Sequence, residues 1–353
     1  MAYQSVGTPR FWVSALQWLN SKGLVSERGD AVDTRLRLPD GNPIPSSIFN
    51  VNPTSVIEFQ PIQQTGNYFN FDIDIDLNTV INKENNFLMY LGHNMRTLGI
   101  EKVILKDMED ENPNARNNYV NGTDVMDQAG IQYDGFSINI DNDGNELTDT
   151  MKFVVEGSVA ANFTIGSILY GNYYTMPHSP DLNLTMTREY GGTKTMETRG
   201  GATLSNRYWT KQPNWANGNP AWSLISGTET FSPFASSGRR IWDLSFSYLD
   251  KEDVFPAIST LSWNGFDETF IATLGTSGNT RDYAFMNSNA NRNFFSDVIH
   301  KTNGGTLPFV FQADSSNANP DQFAICMFDQ DSFQFKQVAN SVYNIKLKIR
   351  EVW

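Results

Sequence analysis

The chain has 353 residues, more than one hydrophobic core usually serves, so two domains are expected. Hydrophobic residues at 39%, with 24 Phe, 13 Tyr and 8 Trp, exclude wholesale disorder, and a charged fraction of only 18% among frequent Asn, Ser, Thr and Gly favours strands and turns over charge-laced helices. A net charge of −13 without any run of Lys or Arg speaks against nucleic-acid binding, and the single cysteine, Cys326, excludes an intrachain disulfide and a multi-thiolate zinc site.

In chain order, Thr8 to Leu19 reads as a strand turning into a short helix that Gly23 ends. Residues 28–47, with Pro39, Pro43 and Pro45, read as an irregular connection, so residues 1–49 are expected to form an N-terminal arm. From about residue 50 the pattern is of short strands. Tyr68 to Leu77 alternates strictly, placing Asp72, Asp74 and Asp76 on one face and Phe71, Ile73, Ile75 and Leu77 on the other. Phe87–Leu91, Val103–Leu105, Phe136–Ile140, Lys152–Val155 and Ile165–Tyr170 complete this set, which suits a sandwich or jelly roll. The Gly-, Tyr- and Pro-rich stretch at 171–185 marks a domain junction, placed at 175/176.

In the second half, Leu182–Thr187 alternates, and Tyr190–Lys194 with Thr198–Ala202 reads as a hairpin-like pair. Ile241–Leu249 is a strand, Phe294–His300 has helical spacing and ends at Gly304–Gly305, and Phe309–Phe311, Phe323–Phe328, Phe333–Phe335 and Tyr343–Ile349 are closing strands. The last alternates apolar and basic side chains, as a strand with one wet face does. The expected fold class is therefore all-β with a few short helices, as two β-sandwich or jelly-roll domains.

The order Arg240-Ile241-Trp242-Asp243-Leu244-Ser245-Phe246, a helix with Phe294 and Phe295, Gly304-Gly305, Leu307-Pro308-Phe309-Val310-Phe311, Phe323-Ala324-Ile325 and a closing strand from Val342 to Val352 resembles the distal-tail and tail-completion proteins of long-tailed phages. The resemblance covers residues 176–353. It implies a β-sandwich domain with inserted loops that joins a ring, commonly a hexamer, at the tail end. Phe87 to Met95, with its Gly92-His93-Asn94 turn, and Ile165 to Gly171 are similar to the discoidin-like, galactose-binding jelly roll. That likeness covers residues 50–175 and carries over no ligand residue.

Groupings that could carry chemistry are few. The histidines, His93, His178 and His300, sit in turn-like settings without a Gly-x-Ser-x-Gly elbow, so no nucleophilic triad is expected. Three carboxylates on one strand face, Asp72, Asp74 and Asp76, read as a solvated face rather than a glycosidase pair. Asn139, Asp141 and Asp143 before Gly144 match the start of a calcium loop, but Thr150 stands where the closing acid belongs, and Asp143-Gly144 equally suits a hairpin turn. Trp209, Trp215 and Trp222 lie among Asn, Pro and Gly, where three readings stay open: an inter-subunit anchor, a sugar-stacking platform, or packing within the chain. Cys326 reads as a small buried hydrophobe.

These readings converge on a non-enzymatic structural subunit of a phage tail end or baseplate. No catalytic residue, cofactor or firm metal site is assigned. The expected partners are further copies of the chain in a ring, other virion tail proteins and a host surface glycan. The alternatives are a carbohydrate-binding receptor-recognition protein of the virion and a capsid decoration protein. The N-terminal residues lack a basic region followed by an apolar stretch, and no apolar run approaches the ~18 residues of a membrane helix, so synthesis in the host cytoplasm without an export signal is expected.

Overall fold

The computed structural model describes residues 6–27, 36–61, 67–74, 77–81, 85–98, 100, 102–107, 116–118, 134–141, 150–156, 161–209, 212–215, 238–255 and 292–352. Over these residues the protein is all-β, with every strand pairing antiparallel.

Strand β1 (Arg10–Ser14) runs into helix α1 (Ala15–Ser21), followed by β2 (Val25–Glu27), β3 (Ile57–Phe59), β4 (Asn67–Ile73) and the one-turn helix α2 (Leu77–Val80). Next come β5 (Asn86–Leu91), β6 (Lys102–Asp107), β7 (Arg116–Asn118), β8 (Phe136–Asp141), β9 (Thr150–Glu156), β10 (Phe163–Ile165) and β11 (Ser167–Thr175). The remainder supplies β12 (Thr185–Glu189), β13 (Gly191–Glu197), β14 (Thr203–Trp209), β15 (Arg239–Asp250) and helix α3 (Lys251–Val254). After a wide helical turn at Phe295–His300 come β16 (Phe309–Gln312), β17 (Phe323–Phe328), β18 (Phe335–Ala339) and β19 (Val342–Glu351).

The large sheet has the order β12-β15-β19-β17-β16-β1-β11-β5-β8, with β18 also on β19. A five-stranded sheet, β2-β4-β9-β6-β7, packs over one end of it, and β3–β10 and β13–β14 are separate two-stranded ribbons. The large sheet is continuous across residues 175 and 176, because β1, from the expected N-terminal arm, bonds to β11 on one side and β16 on the other.

Alternation along the strands sorts the cores. Leu88, Tyr90, Ile168 and Tyr170 face Phe69, Phe71, Phe153, Phe49 and Leu16, closing a sandwich between the two sheets. Phe11, Val13 and Tyr174 belong to the neighbouring core with Trp242, Leu244, Phe246, Phe309, Phe311, Leu347 and Ile349, covered by Phe294, Val298 and Ile299. Trp12, Phe87, Met89, Leu169, Val310, Phe323 and Ile325 form a third core. Their placement on the opposite side of the large sheet follows from the two-residue period.

Local expectations are met where the sequence pattern is strong. Ser14 ends β1 and caps α1, its Oγ accepting from the Gln17 amide at 3.2 Å, and Gly23 follows the helix at φ +72°. In β19, Ile345, Leu347 and Ile349 are buried while Lys346 and Lys348 are exposed. The alternation of 68–77 stops early, however. β4 ends at Ile73, and the Asp74 amide bonds the Leu24 carbonyl at 3.0 Å next to the Val25–Ile73 pair. The hairpin of the second half also shifts: its strands are β13 and β14, and Thr198–Ala202 is the turn between them.

One polar clamp lies inside the β15–β19–β17 corner. The Arg240 guanidinium meets Glu351 through Nε at 3.0 Å and Nη2 at 2.9 Å, and donates to the carbonyls of Asp321 and Phe323. Burial opposes its charge, but Glu351 more than offsets this and holds the group above its ordinary value. With both side chains about 3% exposed, loss of one leaves the other a buried, uncompensated charge. Glu351→Ala is expected to cost about 3–5 kcal/mol in urea unfolding, whereas replacing both partners by apolar residues of similar size costs much less.

Candidate functional site

Of the residues singled out from sequence, Asn139 and Asp141 lie in β8 opposite Leu88 and Asn86, and Asp143 is outside the described residues. Among the described residues no three His, Cys, Asp or Glu side chains gather to hold a metal ion. Asp74 is exposed and Asp72 half-buried, while 75 and 76 are outside the described residues. Trp209 ends β14 opposite Gly191, Trp222 is outside the described residues, and Trp215 is buried in the third core with Trp12 and Phe323. Cys326 is buried in β17, and burial raises its thiol well above the ordinary value. No helix of the described residues is long and apolar enough to cross a membrane.

The structure brings together one grouping that sequence spacing did not suggest. At the end of β5, Gly92 turns the chain at φ +66°, where a Cβ would run into the Pro53 carbonyl. The Gly92 amide bonds the Gly135 carbonyl at 2.8 Å, and Asn94 Oδ1 accepts from the Thr164 amide at 2.8 Å. This holds His93 inside, with Nε2 2.9 Å from the Ser137 hydroxyl. Asp134 lies nearby and its charge acts on the ring, but its carboxylate accepts from the Thr97 amide at 3.1 Å and from the Thr97 hydroxyl.

Serine, imidazole and carboxylate are thus neighbours without forming a relay, since the buried His93 Nδ1 has no hydrogen-bond partner among the described residues while Asp134 bonds Thr97. Ser137 has no exposed surface, so its hydroxyl meets no solvent-borne substrate in this conformation. The arrangement is suited to locking β5, β8 and the 92–98 turn together. Burial lowers the His93 pKa to about 4, against the opposing influence of Asp134 and the Phe136 backbone.

A second feature is a surface. β13 and β14 pair only with each other among the described residues, in unbroken register from Gly191↔Trp209 to Glu197↔Thr203. Thr193–Glu197 of β13 and Thr203–Asn206 of β14 are exposed. One face of this arm carries Lys194, Met196, Leu204 and Asn206, with Met196 and Leu204 directly opposed and 70% and 58% exposed. The arm continues the β12–β15 ribbon through a kink at Gly191, φ +85°, a conformation L side chains rarely adopt. At seven residues per strand it extends about 23 Å.

Comparisons with protein families, curated proteins and solved structures return no match. The site is therefore read from its own chemistry.

The buried imidazole gives a pH dependence with a definite sign. An unfolded chain protonates His93 near 6.5 and the folded one near 4, so the unfolded state binds more protons as pH falls through this window. Stability is complete above pH 6.5 and declines towards pH 4, by roughly 2 kcal/mol from His93 alone at pH 5. His300, also lowered to about 4 by burial and by Lys301 and Lys22, adds in the same direction. Urea unfolding at pH 7.5 and 5.0 is expected to show the loss, and His93→Gln to remove its own share of the slope.

Proposed function

We propose that this protein is a structural subunit of a phage tail end or baseplate that assembles with copies of itself into a ring and with neighbouring tail proteins in the virion. The observation that carries the assembly part is the β13–β14 arm. A two-stranded ribbon alone is marginally stable in water. This one holds its register with an apolar cross-strand pair turned to solvent, which an arm gains from only when another surface covers it.

Support for the tail placement comes from the elements named in the resemblance. β15, the Phe294–Ile299 helical segment, β16, β17 and β19 all contribute to one core, with Gly305 closing against the Phe328 ring. That core also takes Phe11, Val13 and Tyr174 from outside the resembling stretch, so the tail placement rests on the resemblance itself. A structural role also suits the buried polar groups described above, which are engaged in holding strands together.

Sedimentation of the purified full chain across concentrations tests assembly, and electron microscopy of virions tests location. Replacing Thr193–Arg207 by Asn-Gly joins Gly192 to Tyr208, which face each other across the ribbon. That variant is expected to keep the thermal unfolding midpoint of the parent within a few degrees while sedimenting as a monomer. A monomeric parent chain, absent from particles, would overturn the reading.

A further inference from the structure

The arm has a candidate receiving surface on the molecule itself. Its residues 191–209 contain Lys194, Arg199 and Arg207 against Glu197, a net of +2 that leaves −15 for the rest of a chain of net −13. A basic arm on an acidic body favours contact between copies over non-specific adhesion.

The far end of the same β12–β15 ribbon carries the complementary features. The Asp181 amide bonds the Ser245 carbonyl at 2.8 Å, and its carboxylate accepts from Ser247 Oγ at 2.8 Å. Leu182 and Tyr248 flank these two partners, Leu182 fully exposed and Tyr248 81% exposed. Tyr248 sits in the bulge between Phe246 and Leu249 at φ +63°, its amide bonded to Asn344 Oδ1 at 3.1 Å. A bulky aromatic held in the left-handed region and presented to solvent is a strained arrangement, of the sort retained at functional surfaces. Asp181, Asp250, Glu252 and Asp253, with Lys251 and with Lys336 and Lys346 on the adjoining β18 and β19, make this end net −1.

We infer that the Lys194–Met196–Leu204 face and Arg199 tip of one copy dock on the Leu182–Tyr248 acidic end of a second copy, head to tail. This rests on the assembly reading above and names its contact. Met196 and Leu204 meet Leu182 and Tyr248, and the arm's cations face Asp250 and Glu252. Donor and acceptor lie at opposite ends of β15, about 40 Å apart for its length, so the contact is heterologous and propagates into a ring or filament rather than closing a two-fold dimer.

The test uses the full chain and three single variants, Arg199→Glu, Glu252→Lys and Tyr248→Gly, followed by sedimentation. Tyr248→Gly suits the local backbone, so its fold is kept while the anchor is lost. Each variant is expected to raise the concentration at half-assembly about tenfold or more, and the combined Arg199→Glu/Glu252→Lys chain to recover most of the loss. Mixing the two charge variants is expected to restore assembly with the two chains alternating, because each arm then meets an end of opposite charge on the other chain. If the parent assembles and all three variants assemble equally well, or the parent stops at a two-fold dimer, this docking is wrong while self-assembly stands. A monomeric parent would remove both.

Discussion

A five-residue strand joins the protein. β1 bonds to β11 and to β16 at once, with Arg10, Phe11 and Trp12 aligned to partners on both sides. Its side chains divide between cores: Phe11 and Val13 enter one, and Trp12 enters another, where its Nε1 donates to Gln312 Oε1 at 3.2 Å. Without β1 the large sheet would expose two unpaired edges in its middle and leave apolar faces open. Such long-range pairing, with both partner strands more than a hundred residues downstream, carries a large loop-closure cost before it yields contacts. The buried aromatics are what offset it, since each Phe or Trp contributes about 3–5 kcal/mol against truncation.

Polar groups inside this framework are used as fasteners. Arg240 and Glu351 tie β15 to β19 and to the start of β17; His93 and Ser137 tie the 92–98 turn to β8; Asn172 donates to Asn86 Oδ1 at 2.7 Å between β11 and β5. Lys301 and Asp297 do the same within the wide helical segment, at 3.4 Å, with burial lowering the lysine and Asp297 opposing that. Each of these costs desolvation and gives specificity of register in return, which a sheet of this width needs because a one-residue slip inverts every face.

The strand content and the all-β class were legible because they rest on the two-residue period, strongest in β19 and β15. What was not legible is who pairs with whom. The Arg10-Phe11-Trp12-Val13 run reads locally as a strand, but nothing near it in sequence marks β11 and β16 as neighbours. Gly191-Gly192 and Gly200-Gly201 carry the same turn signal, yet only the second is a hairpin turn, the first being the kink at which the arm leaves the body. Ser137 and His93 are brought together by the β5–β8 register, which a gap of 44 residues does not announce. Trp215 shows no periodicity because it fills the third core from an irregular segment.

An exposed two-stranded arm is a hazard as well as a tool, since its open edges invite pairing with any extended chain. The composition of this arm limits the hazard. Thr193, Thr195, Thr203 and Ser205 give its second face a polar surface, and Lys194, Glu197 and Arg199 interrupt the apolar stretch near its tip. The single apolar pair, Met196 and Leu204, is too small to drive collapse unaided and needs a matching surface beside complementary charge. The end with Leu182 and Tyr248 offers both. Selectivity for a second copy then follows from requiring both at once, and the strained bulge that presents Tyr248 is the part of the fold that makes the requirement strict.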